Sequence, residues 1–383
     1  MKKVIAFCFL SFLVLASAFS AAKKSKIIQL EPIEFDVVKS HNGHFEYMVD
    51  PRVELMAIIC RLTGYNVFTG YYNGDNSYLT QVDSFFAKYK DEIVIKSAQG
   101  FMERGVSGDA FISLALHIKP DFSGTIDSMK PLPKTLNEKW KKIGSNSINT
   151  FVKQVHDFAV KSNFARFYAV NRSDYLSNIV WLDDGFEKKN VGTWAADFFK
   201  GIDVGETTIV SSRVLAGWNL FDFAEDLDGK LTSYVSTYPG GYYADMTGAY
   251  FSLYLQDYLN ENWDTVKDTY TKFLKSFLKK LHPEQDQKEI DKREVTRNDL
   301  SIDLSVYVYI TYLEDSIATA KEDDDYFKPT FDAYYASLEK TVGDSFLKCM
   351  DLLKEYKENR DKYPEIKDFY PRITEYVNSL PTE

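Results

Sequence analysis

From Pro51 onward, apolar residues recur at helical spacing: Val53, Met56, Ala57, Cys60 and Leu62 fall on one face of a predicted helix. Asp50 suits its N-cap, Pro51 its first turn and Gly64 its end. Lys26 to Phe35 alternates instead, with Ile28, Leu30, Ile33 and Phe35 apolar, and predicts an opening strand. Helices are predicted over residues 81–90, over 107–117 with Ala110, Leu114 and Ala115 inward, and over 146–162, continuing after a break from Phe164 to Tyr175. Residues 178–215 read as shorter strand-like pieces, among them Thr207 to Val210. Gly217 to Gly241 is rich in turn signals, at Asp228-Gly229 and Pro239-Gly240-Gly241. Thr247 to Leu259 predicts a buried helix, Trp263 to Leu281 an amphipathic one with lysines outward, and Asp299 to Asp315 a second buried one. Phe327 to Lys357 reads as one long helix or a pair, while His282 to Asn298 and Lys321 to Asp325 are polar connections. The expected fold class is mainly α, an α+β arrangement with a minor sheet, in one large helix-rich domain over residues 21–383.

The N-terminus carries a different pattern. Met1-Lys2-Lys3 is positive, Val4 to Leu15 is almost unbroken in its apolar character, and small residues follow at Ala16-Ser17-Ala18 and Ala21-Ala22. These are the parts of a secretory signal peptide, expected over residues 1–20 with cleavage near residues 18–22. The run is shorter than the roughly 20 apolar residues a spanning helix needs. Cys8 lies inside it rather than after it, which argues against a lipid-anchored cysteine. The mature chain is therefore expected to be secreted or periplasmic, without stable membrane insertion.

Formal charge is −10, and an acidic surface repels phosphate backbones, so nucleic acid is not expected as a partner. With 45% hydrophobic and 15% aromatic residues, the chain can bury a large core. Cys60 and Cys349 both sit in apolar helical patterns. Two buried thiols are the expectation, with a single bridge between them as the alternative, and neither has a basic neighbour in sequence to activate it.

Candidate chemistry is sparse. The histidines are His41, His44, His117, His156 and His282, and none belongs to an HExxH, where two histidines one helical turn apart hold zinc and the glutamate activates water. His41 and His44 lie in a Gly-containing segment that reads as an exposed turn; His117 ends an apolar face and reads as structural. Gly229 sits where an EF-hand glycine would, but Ala224 and Val235 occupy ligand positions. A G-x-S-x-G elbow, a phosphate loop and a dinucleotide fingerprint are all missing. Acidic neighbours such as Asp183-Asp184, and Asp222 with Glu225, are expected by chance among 56 acidic residues. No catalytic residue and no cofactor are assigned. Tyrosines crowd one Gly-containing region: Tyr234, Tyr238, Tyr242, Tyr243, Tyr250 and Tyr254. Most are expected in the core, with Tyr238, Tyr242 and Tyr243 as candidates to bind peptide or glycan.

Several segments, in their order, resemble a secreted bacterial family of domains of unknown function whose typical members carry a zincin-like HExxH helix. They are Asp50 to Leu55, Ser107 to His117, Phe151 to Tyr175 and Ile209 to Gly217. The resemblance spans residues 45–315, leaving 316–383 as a C-terminal helical extension. It implies a metallopeptidase-like scaffold with its metal helix near Met246. Gly248, Ala249 and Ser252 then take the places of the first His, the Glu and the second His, and residues 157–281 contain no histidine in any register. Downstream, Asp299 or Asp303 takes the place of a further acidic ligand. Without imidazoles or a general-base glutamate, no metal is expected. The resemblance thus implies a pseudoenzyme, a secreted non-catalytic protein binding peptide or glycan through an aromatic cleft. A hydrolase using carboxylates in that cleft is the alternative, and a metal enzyme using His41, His44 and His117 is a third reading.

Overall fold

A computed structural model describes residues 30–70, 77–124, 140, 143–186, 189–215, 220–225, 231–237, 243–320 and 326–382. The expected signal peptide therefore lies outside the described residues. Strands β1 (Val38–Asn42) and β2 (Phe45–Val49) form an antiparallel hairpin over the two-residue turn Gly43-His44, where Gly43 takes a φ of 55°. The expected strand ending at Phe35 does not form among the described residues. Pro32 lacks an N–H, and only Leu30 and Ile33 donate, to the carbonyls of Ser123 and Asp121 at 3.3 and 2.9 Å. Ile33 and Phe35 still pack against the core.

Helix α1 (Pro51–Leu62) starts as expected, with the Asp50 side chain accepting from the Arg52 backbone N–H and Pro51 in the first turn. One buried face was expected, but all 12 residues of α1 are buried. The helices that follow surround it: α2 (Asn66–Thr69), α3 (Ser77–Phe86), α4 (Ile93–Glu103) and α5 (Gly108–Leu116) each pack against α1. Its charged residues are consequently sealed in rather than turned outward.

Helices α6 (Ser145–Ser162) and α7 (Phe164–Val170) meet at Asn163, whose φ of 56° caps one and opens the other. Next come α8 (Arg172–Phe186) and α9 (Val191–Phe198), over residues expected to be partly strand-like. In α8 the buried residues Tyr175, Asn178, Ile179, Leu182 and Phe186 recur every three to four positions, which is a helical period.

Strands β3 (Glu206–Ser211), β4 (Leu220–Glu225) and β5 (Leu231–Thr237) complete a five-stranded sheet of order β1-β2-β3-β5-β4. β2, β3 and β5 run parallel, in a register that pairs Tyr47 with Ile209 and Ile209 with Val235, while β1 and β4 are antiparallel edges. Most of the segment expected as loop is thus β4 and β5, joined across Asp228-Gly229, which lies outside the described residues. Helix α10 (Tyr243–Leu281) unites two expected helices in 39 residues. After α11 (Gln287–Lys292), α12 (Arg297–Thr319) opens on a capping box between Thr296 and Asp299. The C-terminal pair is α13 (Phe327–Val342) and α14 (Asp344–Glu358), broken at Gly343 with φ 65°, and α15 (Tyr370–Asn378) closes the fold.

The architecture is one mainly helical domain. Phe45, Ile58, Phe151, Phe251, Tyr312 and Tyr356 belong to a single hydrophobic cluster running from the sheet to the C-terminal helices. Helix α12 crosses residue 316 without interruption, so the helices beyond it extend the same core. No helix among the described residues is long and apolar enough to cross a membrane.

Candidate functional site

The positions of the expected metal helix lie in the first turns of α10, against α12. A Cβ built on Gly248 would meet the Ser305 Oγ at 3.5 Å. Ser252 is buried, and its hydroxyl donates to the Gly248 carbonyl at 3.0 Å. Across the seam, the Ser301 hydroxyl donates to the Ser252 carbonyl at 3.4 Å. Gln256 Nε2 donates to the Ser301 Oγ at 3.1 Å and to the Ser252 carbonyl at 3.3 Å. Ala249 is partly buried against the core. Gly248 and Ser252 thus face a seam of small side chains, Ser301 and Ser305, on α12.

The downstream acidic residues are engaged in structure. Asp299 closes the capping box and accepts from Arg293 at 2.6 Å. Asp303 accepts from the Tyr270 hydroxyl at 2.7 Å, and burial pushes its carboxyl up to about 6. Among the described residues no group of three or more His, Cys, Asp or Glu is placed to hold a metal ion.

Of the tyrosine candidates, Tyr238 and Tyr242 lie outside the described residues, and Tyr243 opens α10 with only its backbone described. Tyr250 and Tyr254 are core residues, as expected. Their hydroxyls meet at 2.7 Å, Tyr254 stacks on Phe199 with centroids 4.6 Å apart, and Tyr250 sets its edge to Phe45. Tyr234, on β5, faces Arg52, and burial raises its hydroxyl above the ordinary range.

The histidines lie apart from one another in the fold, His41 and His44 on one hairpin excepted. His41 is exposed on β1. His44 turns onto α9, where its Nε2 lies 3.1 Å from the Thr193 Oγ1, and a Cβ on Gly192 would come within 2.7 Å of the His44 Cβ. His117 is buried at the end of α5, with Nδ1 2.8 Å from the Ser113 carbonyl. His156 Nε2 lies 2.8 Å from the Glu31 carbonyl, and His282 Nδ1 sits 3.4 Å from Glu284. Asp183 accepts from Asn42 at 2.8 Å; the side chains of Asp222 and Glu225 lie outside the described residues. Cys60 and Cys349 are free and buried. Burial raises both thiols, Cys349 to about 12, so neither supplies a thiolate near neutrality.

The sequence reading missed a buried polar cluster where β2 hands the chain to α1. Arg52 pairs with Asp50, Nε to Oδ1 at 2.9 Å, and its Nη1 donates to the carbonyls of Leu116 and Ile118 at 3.1 and 2.7 Å. Two residues on, Glu54 is 0% exposed. Its Oε1 accepts from the Tyr78 hydroxyl, which lies 2.9 Å from that of Tyr175. Burial pushes the Glu54 carboxyl up to about 7, against the opposing pull of the Ser212 and Tyr78 hydroxyls and the Arg213 charge. Ser212 and Arg213 follow β3, so the cluster stands at the carboxyl ends of parallel strands. The available signal was two charges, Arg52 and Glu54, inside an otherwise apolar run.

No model of a protein family, no curated protein and no solved structure matches the chain. The fold and its seams define a class only, a helix-dominated domain around a mixed five-stranded sheet. Among the described residues it buries the polar cluster of Arg52 and Glu54, and the positions expected from the resemblance as metal ligands are Gly248, Ala249 and Ser252, of which Gly248 and Ser252 pack toward α12.

Proposed function

We propose that the protein is a secreted, non-catalytic binding protein on a degenerate metallopeptidase-like scaffold, taking peptide or glycan through aromatic residues near the start of α10. The observation that carries this reading is the closure of α10 on α12 through Gly248, Ser252, Ser301 and Ser305. A zinc helix presents its ligands into open space that a water or substrate shares; here the corresponding positions are consumed by helix packing. The signal-like N-terminus supports a role outside the cytoplasm.

The test has two arms. Elemental analysis of the purified chain from about residue 21 onward should find less than about a tenth of an equivalent of zinc after dialysis. Close to one equivalent would overturn the non-catalytic reading. Titration with soluble peptidoglycan fragments and with an unstructured peptide mixture, followed by calorimetry, should give saturable heat with one of them. Failure of both would remove the assignment to peptide or glycan.

A further inference from the structure

We propose that Glu54, Tyr78 and Tyr175 form a proton-dependent latch tying the central helix α1 to α3 and α8, closed while the Glu54 carboxyl carries its proton. Glu54 stands on the first turn of α1, Tyr78 on the first turn of α3 and Tyr175 on α8, and their polar atoms form one chain inside the core. All three are sealed from solvent, at 0%, 1% and 1% exposure. Glu54 Oε2 makes no hydrogen bond. An anionic oxygen without a donor in such a place is costly, whereas a protonated carboxyl leaves only a neutral hydroxyl there.

The surrounding charges leave this balance to Glu54. Among the described residues Arg213, after β3, is the charged side chain that favours the anion, and its Nε donates to Asn178 at 3.2 Å. On α1 itself, Arg52 is closed on Asp50 and Arg61 on Asp83 of α3. Tyr168 of α7 donates to the Val49 carbonyl at 2.5 Å and accepts from Val38 N–H. Asp174 of α8 acts on Tyr175 rather than on Glu54. From α4 and α5, which also pack on α1, neither Lys96, Glu103, Asp109 nor His117 bears on the carboxyl, and α2 brings no ionisable group. Loss of the proton puts a desolvated charge, which the Tyr78 and Ser212 hydroxyls and Arg213 offset only in part, between three helices and the segment after β3, and separating those elements is what admits water to it.

The experiment is hydrogen exchange of the intact mature protein at about pH 5 and about pH 8.5, corrected for intrinsic rates, beside Glu54→Gln and Tyr175→Phe. In the unmodified protein, amides of α1, α3 and α8 should lose roughly tenfold to a hundredfold in protection at the higher pH, while α14 and α15 keep theirs. Glu54→Gln, locked in the neutral form, should abolish that loss. The same pH dependence in Glu54→Gln, or none in the unmodified protein, overturns the proposal. Should Glu54→Gln fail to fold, infrared difference spectra across the same range carry the test. A buried protonated-carboxyl band that titrates in the unmodified protein, with a midpoint shifted in Tyr175→Phe, supports the latch; a band absent at acid pH overturns it.

Discussion

The Ser301 hydroxyl donates to the backbone carbonyl of Ser252 across the α10–α12 seam, at 3.4 Å. The bond joins the two helices beside Gly248, and it makes the seam's steric tolerance measurable. Gly248→Ala should be accepted, since the new Cβ meets the Ser305 Oγ at an ordinary 3.5 Å. Removing a mid-helix glycine should then stabilise by about 0.5–1 kcal/mol. Gly248→His with Ser252→His should instead overpack the seam and cost about 1–3 kcal/mol. Thermal unfolding of both variants checks this, and zinc should not rescue the double variant.

The Glu54 carboxyl gives stability an inverted pH dependence. Its folded value, about 7, lies above the ordinary 4.5, so the folded state holds the extra proton between these values. The contribution is fully present below 4.5 and is lost as pH rises to about 7, roughly 3 kcal/mol in all. Denaturant titrations at about pH 4 and about pH 8 should show that difference in the unmodified protein relative to Glu54→Gln.

Arg52→Ala should cost about 3–5 kcal/mol, because it leaves the Asp50 carboxylate buried and strips donors from the carbonyls of Leu116 and Ile118. Urea unfolding measures the loss. Arg52→Met, which keeps the stem's packing, should recover only a fraction, since the charge on Asp50 stays uncompensated.

Gly201 has a φ of 92°, and a Cβ there would come within 2.6 Å of the Glu365 Oε2. Gly201→Ala should destabilise by about 1–3 kcal/mol. Adding Glu365→Ala should relieve the steric part but not the backbone part, so thermal unfolding of the double variant should fall between the single variant and the parent.

Native Cys60 and Cys349 should resist a thiol reagent at neutral pH, both being buried with thiols raised by burial. Cys60 and Cys349 should both titrate once the chain is denatured. Reaction of either thiol in the native state at the denatured-state rate would contradict this burial.

Local signals in the sequence carried several helices, but not α4, which no pattern predicted, nor α9 and most of α8, which read as strand-like. Asp50, Pro51 and Gly64 bounded α1 through capping chemistry that depends on neighbours a few residues apart. The buried runs of α10 and α12 were legible because their apolar residues already repeat at helical spacing. The sheet was harder. β2 pairs with β3 across more than 150 residues of chain, a partnership no local window contains.

The candidate site divides in the same way. The sequence alone determined that no histidine lies between residues 157 and 281, that Gly248 and Ser252 offer no imidazole, and that Cys60 and Cys349 sit in apolar helical patterns. Composition and order along the chain are sufficient for such statements. Only the tertiary structure decided that α1 is enclosed on every side, which turns Arg52 and Glu54 from an expected outer face into a buried ion pair and a carboxyl that burial pushes up to about 7. The reason is desolvation: the cost of a charge depends on what packs around it. Here that is Tyr78, Tyr175 and Ser212, brought to Glu54 from distant parts of the chain.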